Sequence, residues 1–378
     1  MQPMTDRPTT SARLRNALLR SLLAAESGTR RLPRRRPNPK RMMIQPYRSY
    51  GTPERLHVRG RVLSDRGLVP AGPRDSRLKN FAQTWKRVFS AEVAGARVAA
   101  VYRGVRVEGV SDDEGYFHLL IDVPKVEGLH LWEEVEVSLV SDSGPSKSTL
   151  VPVLVPSDRA EFGIVSDIDD TVIHTDATSL VRMLKTVLLE NAHVRLPFEG
   201  VAAFYGALHR AVNPIFYVSS GPWNLYDLLT HVFEIRGIPV GPIFLQDWGL
   251  EEGKFVVRAH DDHKREQIDN IVATYPSLGF ILIGDSGQRD PEIYADVSAR
   301  YPDRIRAIYI RDVAPGPRHA AVKAIAAGIE RDHGIPTLLV PDTMAAAHHA
   351  AANGWIRAED LPAIAGEKRA DEAAGPSL

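Results

Sequence analysis

Cysteine is missing from all 378 residues. Its absence excludes disulfides, cysteine nucleophiles and thiolate-held metals, and leaves the compartment open. A charge imbalance is missing as well. Lys plus Arg number 47, Asp plus Glu number 47, and the formal net charge is +0. Bulk attraction to nucleic acid is therefore not expected. No run approaches the roughly 20 apolar residues that a membrane-crossing helix requires. Arg13, Arg15 and Arg20 interrupt the N-terminal apolar stretch, so a secretory signal is not expected and the chain reads as cytoplasmic. What is present is ordinary globular material. Hydrophobic residues make up 44% of the chain, and the length suits about two or three domains.

Four segments follow from composition and periodicity. Residues 1–45 read as a basic, largely disordered N-terminal segment. Leu14, Leu18 and Leu22 recur at helical spacing there, and Arg30 to Pro37 is too basic and proline-rich to fold alone. A solvated leader is one reading of it. The other is an electrostatic tether that makes peripheral contact with anionic lipid. Residues 46–158 carry short, partly alternating apolar runs separated by turn residues, the pattern of a β-sandwich. Within it, Val110 to Phe117 reads as a hairpin with acidic turn chemistry. This stretch is similar to the D-x-x-G-x-F hairpin of carboxypeptidase-regulatory-like and transthyretin-like sandwiches. Lys79 to Phe89 reads as a polar insertion or short helix.

From residue 159 the period changes. Short apolar runs at Phe162–Val165, Ile215–Val218, Ile243–Leu245, Phe280–Ile283 and Ile305–Ile310 alternate with amphipathic stretches. That alternation predicts an α/β domain over 159–353 with a parallel sheet. Leu338–Val340 is expected as an edge strand before an Ala-rich helix over 343–352, and residues 354–378 as a frayed polar tail.

The chemistry-bearing residues sit at the ends of those runs. Asp167-Ile168-Asp169-Asp170-Thr171 follows the first. Two carboxylates at i and i+2 on a continuing strand face one side, and strand ends in α/β sheets open onto the ligand crevice. An Asp there can attack phosphorus while its other oxygen holds a hard cation. Acidic turns also cap helices, so this motif alone does not decide. The second run ends in Ser219-Ser220-Gly221-Pro222-Trp223, with a hydroxyl, a Gly and a Pro suited to the first turn of a helix. That helix N-terminus suits a phosphate, or is an ordinary end capped by Ser220. Lys264 starts the helical stretch before the fourth run, where an ammonium can bridge nucleophile and phosphoryl oxygens; Lys254 and Arg258 are alternatives. The fourth run ends in Gly284-Asp285, with Asp290 five residues later. Asp167 and Asp285 meet the minimum that Mg2+ asks of a protein. Asp290 orients a metal-bound water or caps the following helix.

In this order the four signals resemble the haloacid dehalogenase superfamily. Val218-Ser219-Ser220-Gly221-Pro222-Trp223-Asn224 and Gly284-Asp285-Ser286-Gly287-Gln288, with Asp290-Pro291-Glu292-Ile293-Tyr294, are similar to blocks of the actin-patch-protein phosphatidate phosphatase family, here its bacterial branch. The resemblance covers roughly residues 160–310. It implies a haloacid-dehalogenase-like Rossmannoid sheet and a Mg2+-dependent phosphatase acting on a phospholipid. Asp167 would be the nucleophile and Asp169 the acid and base, its carbonyl also touching the metal. Thr171 would hold Asp169, Ser219 and Lys264 would bind the phosphoryl oxygens, and Asp285 would complete the metal site. Two other readings stand beside it: the same chemistry on a soluble phosphomonoester, and a non-catalytic scaffold. Residues 172–200, with Leu180, Leu184 and Leu188, are expected to form a small cap, a lipid-facing helix or core.

Overall fold

The computed structural model describes residues 42–64, 92–125, 130–140, 148–173, 198–246, 258–314 and 316–373. The basic segment up to Arg41, the stretch Lys79–Phe89, the leucines Leu180, Leu184 and Leu188, and Lys254 lie outside the described residues.

Eight strands come first: β1 (Met42–Pro46), β2 (Ser49–Gly51), β3 (Arg55–Ser64), β4 (Arg97–Tyr102), β5 (Val105–Val110), β6 (Tyr116–Asp122), β7 (Trp132–Leu139) and β8 (Ser148–Leu154). Period-two alternation sets which side chains turn inward. In β6, for example, Phe117, Leu119 and Ile121 are buried between exposed neighbours. Hydrogen bonding joins all eight strands in one mixed sheet, in the order β1-β3-β2-β8-β7-β4-β5 with β6 on the other edge of β3. β1 and β2 lie end to end along β3, and the β2–β8 pair is parallel. The sheet curls around a core that includes Val58, Val98, Ile121, Val135 and Val151. Its ends meet where β5 crosses β6: a Cβ at Gly109 would lie 2.5 Å from the Leu119 side chain, so a larger residue there would have to displace that leucine.

Two expectations change here. The paired strands start at Met42, inside the segment read as disordered. Val110 to Phe117 is a turn but not a hairpin, because β5 pairs with β4 and β6 with β3. Asp112 explains the signal. Its carboxylate accepts from the Glu114 and Tyr116 amides at 2.9 and 2.8 Å, which is local turn chemistry that carries no information about strand partners.

The second unit is a six-stranded parallel sheet in the order β11-β10-β9-β12-β13-β14. Its strands are β9 (Gly163–Asp167), β10 (Ile215–Pro222), β11 (Ile243–Gln246), β12 (Phe280–Asp285), β13 (Ile305–Arg311) and β14 (Thr337–Val340), matching the expected runs. Helices α1 (Val201–His209), α2 (Tyr226–Ile235), α6 (Thr343–Ala352) and α7 (Leu361–Ala373) pack on one face. Helices α3 (Arg258–Thr274), α4 (Asp290–Arg300) and α5 (Pro317–His333) pack on the other. Covering both faces is why β9 and β12 read as continuous apolar runs. Among the described residues no helix is long and apolar enough to cross a membrane.

The polar stretch after residue 354 is not frayed. Ile364 of α7 is fully buried, and Glu367 accepts from the Ala202 and Ala203 amides at 3.1 and 2.8 Å. Asp371 accepts from Gly200 N at 3.0 Å. These carboxylates satisfy the free amides at the start of α1, whose own N-cap residue Gly200 has no side chain to do so.

The two sheets share their cores. Tyr47, between β1 and β2, is buried among residues of the parallel unit and stacks on Trp223 with ring centroids 4.7 Å apart. Tyr50 and Leu154 join the core on the other face of that unit. Gln45 Nε2 donates to Asp227 at 2.7 Å, and Arg48 N donates to the Tyr226 hydroxyl at 2.6 Å.

Candidate active site

Strand register brings the expected residues together at the carboxyl edge of the parallel sheet. Asp167, the last residue of β9, pairs with Val218 of β10, so Ser219 follows directly beside it. On the other side, Ile283 of β12 pairs with Ser166, which carries Asp285 to the same edge. α3, packed on one face of the sheet, delivers Lys264 to Asp167 at this edge.

Lys264 is the centre of the arrangement. Its Nζ donates to Asp167 Oδ1 at 2.7 Å and to Asp290 Oδ1, with all three side chains buried. Burial alone would lower the Lys264 pKa; Asp167 and Asp290 outweigh it and hold the ammonium above its ordinary value. Burial also pushes the Asp167 carboxyl well above the usual carboxylate range. Lys264 pulls it back, while Asp290, Asp285 and Asp169 push it further up. Asp285 is raised to about 8 by burial first and by Asp290 next. Asp290 also accepts from Asp285 N at 3.1 Å, a contact that brings its carboxylate against β12.

Asp167, Asp285 and Asp290 each offer an oxygen within 4.8 Å of the others. With one ammonium among three carboxylates, full ionisation leaves two negative charges without balance. Asp285 Oδ1 is anchored by the Gly287 and Gln288 amides at 2.6 and 2.9 Å, whereas its Oδ2 is buried with no hydrogen-bond partner. An orphaned carboxylate oxygen inside an all-oxygen, doubly negative cluster fits a hard divalent cation.

The loop after β9 departs from the expectation of two carboxylates on one continuing strand. The strand ends at Asp167, and the Ile168 carbonyl then accepts from the Val172 and Ile173 amides, both at 3.0 Å. Asp170 takes φ +58° within that tight loop. Asp169 is therefore placed by the loop rather than by strand alternation. Its carboxylate accepts from Ser219 Oγ at 2.6 Å, and it lies outside the three-carboxylate cluster. The Asp169 carbonyl, expected to touch the metal, accepts from Gln288 Nε2 at 2.9 Å, which occupies one of its two lone pairs. Thr171 donates to Asp167 Oδ2 at 3.1 Å, so it holds Asp167 rather than Asp169. Pro222 stays extended at the end of β10, and a 3-10 turn over Trp223–Leu225 precedes α2. The helix thus begins later than expected.

Two further residues shape the site. Gln288 stood in a quoted motif without a role. Arg318 had none at all. Its guanidinium pairs with Glu292 through two contacts of 2.5 and 2.9 Å and donates to the Ser286 carbonyl at 2.8 Å, pinning the loop that follows Asp285. The pairing joins α5 to α4 through residues 26 apart in sequence, and no local spacing announces it.

Residues 162–312 match the family model described as the catalytic domain of phosphatidate phosphatase APP1. Asp167, Asp169, Thr171, Ser219, Lys264, Asp285 and Asp290 all fall inside that match. The chain is also similar to phosphatidate phosphatase APP1 of Saccharomyces cerevisiae. The two are 35% identical over 152 residues, which is 40% of this chain and 26% of that protein. An uncharacterized protein of Schizosaccharomyces pombe is 30% identical over 208 residues, 53% of this chain and 33% of that protein. The chain thus spans about a quarter to a third of the length of the curated relatives it matches. Among solved structures, a carbohydrate acetylesterase from Xanthomonas citri, XAC1771, covers 78% of this chain and 75% of its own at 11% identity, with a TM-score of 0.24. A likeness that weak carries no argument about either fold or function.

Proposed function

We propose that the chain is a Mg2+-dependent phosphatidate phosphatase of the haloacid dehalogenase kind, working through an aspartyl-phosphate on Asp167. The observation that carries this reading is the buried Lys264 ammonium bridging Asp167 and Asp290 next to the orphaned oxygen of Asp285. The match of residues 162–312 to a phosphatidate phosphatase catalytic domain supports the substrate class.

Asp167, Asp285 and Asp290 are the residues that would hold the cation. When bound, it offsets the repulsion between an anionic nucleophile and an anionic ester. A carboxylate oxygen of Asp167 attacks phosphorus as the bond to the glycerol oxygen breaks. Asp169 gives its proton to that departing oxygen, held in position by the Ser219 hydroxyl. In the second step Asp169 takes a proton from water as the water oxygen attacks phosphorus. The bond to Asp167 breaks, inorganic phosphate leaves, and the free carboxylate is restored. Lys264 keeps a fixed positive charge beside the reacting carboxylate throughout. The basic N-terminal segment is proposed as a weak contact with anionic lipid.

Phosphate release from phosphatidate micelles and from soluble phosphomonoesters, with and without Mg2+, tests the reading. Release from phosphatidate that stops in EDTA is expected. Turnover of a soluble ester alone would move the substrate and keep the chemistry, whereas full activity in EDTA would overturn the mechanism.

A further inference from the structure

A cavity of about 320 Å³ lies where the N-terminal sheet meets the parallel sheet, lined by Arg59, Trp223, Phe244, Gln246, His263 and Gln267. Its position adjoins the catalytic edge. Trp223 follows the Ser219–Pro222 end of β10, Gln246 ends β11 opposite Pro222, and His263 precedes Lys264 on α3.

Arg59 is the unusual member. It comes from β3, in the other sheet, and its guanidinium carbon sits 4.3 Å from the centroid of Phe244, 5.3 Å from that of Tyr50 and 5.7 Å from that of Trp223. Its Nε is buried with no hydrogen-bond partner, and Nη2 reaches only the Arg48 carbonyl, at 3.5 Å. The titratable groups that act on it include the hydroxyls of Tyr50, Tyr226, Tyr47 and Tyr275 and the imidazoles of His57 and His118. No carboxylate pairs with it among the described residues. Aromatic faces recover part of the cost of withdrawing a cation from water, but an arginine keeps its charge and its five donors. A half-buried cation with a buried, idle Nε donor, facing a cavity, is arranged for an anion.

We propose that this cavity is an oxyanion subsite next to the catalytic carboxylates, with Arg59 as its cation. The N-terminal sheet thereby supplies a ligand-recognition residue. The subsite takes a phosphate or carboxylate other than the group being hydrolysed, either a second anionic group of the substrate or free inorganic phosphate. Only the identification of the ligand with a phosphoester substrate rests on the phosphatase reading.

The full chain, Arg59→Met and Arg59→Gln separate the possibilities. Inorganic phosphate binding is measured by calorimetry in EDTA at constant ionic strength. The uncompensated carboxylates then disfavour phosphate at the catalytic edge, and binding reports the cavity. Both variants should bind roughly tenfold more weakly or worse. Arg59→Met should melt no lower than the parent when phosphate is absent, because it removes a half-buried cation that has no carboxylate partner among the described residues and keeps most of its apolar contact. KM for an alkyl bisphosphate should rise about tenfold in both variants with kcat unchanged, while KM for an alkyl monophosphate stays put. Arg59-dependent phosphate binding with no KM effect assigns the subsite to free phosphate. Unchanged phosphate affinity and unchanged KM in a folded variant overturn the subsite and leave the phosphatase reading standing. Arg59-dependent binding in a protein that turns over no ester leaves the subsite standing and removes the phosphatase.

Discussion

Asp167 accepts from Lys264 through one oxygen and from Thr171 through the other, so its side-chain geometry is fixed from both sides. Asp167→Asn keeps that shape and removes the negative charge. Phosphate release should fall about a thousandfold or more while the fold persists, since losing a nucleophile removes the covalent route. A variant within about tenfold of the parent would remove Asp167 from the nucleophile role. A second residue-scale expectation concerns acid. His57 stacks on Tyr50 and lies 3.2 Å from His118. Burial first, then His118, Arg59 and Arg55, lower its pKa from 6.5 to about 4, with Asp122 opposing. The folded state thus refuses a proton that the unfolded chain accepts. The contribution of His57 to stability is intact above about pH 6.5 and is lost as the pH drops towards 4. Denaturant midpoints measured across that range should show the decline, and His57→Phe should flatten it. An identical slope in the variant would mean that other groups govern the acid limb.

At the scale of elements, the parallel strands were legible because burial on both faces writes them as short apolar runs. Asp167, Asp285 and Lys264 were legible because strand ends and helix starts put them on one edge. Partner choice was less legible. Thr171 holds Asp167 because the loop turns back on the Ile168 carbonyl, and that reversal leaves no periodic trace. α7 was missed because its polar residues looked solvated. Glu367 and Asp371, four apart on one helical face, in fact meet the amides of α1, which only the tertiary fold brings near. β12 supports a prediction of its own. A side chain at Gly284 would lie 2.5 Å from Asp290 Oδ2 and 2.8 Å from its Cβ. Gly284→Ala should therefore displace Asp290 from Lys264 and Asp285. Mg2+-induced thermal stabilisation should shrink and activity should fall at least tenfold, by the loss of one charge-assisted contact. Parent-like values of both would show that the cluster tolerates the shift.

For the whole molecule, the sequence showed a change of period near residue 159 and suggested two units, but period says nothing about how units dock. Tyr47 supplies the missing part. It lies 2% exposed in the core of the parallel unit, against Trp223 and Tyr226, although its strand neighbours belong to the first sheet. Arg48 reinforces the contact through Glu234 at 2.8 Å, a partly exposed pair that adds little on its own. Aromatic burial is the larger effect, and Tyr47→Ala should cost about 3–5 kcal/mol, in line with other large aromatic truncations. Because the two cores share residues, calorimetry on the parent should show one cooperative transition, and Tyr47→Ala should lower it as a whole. Two separated transitions in the parent, with only one of them moved by Tyr47→Ala, would mean that the sheets fold independently. Arg59 would then reach its cavity through a loose interface, and its effect on anion binding should weaken as the first transition melts.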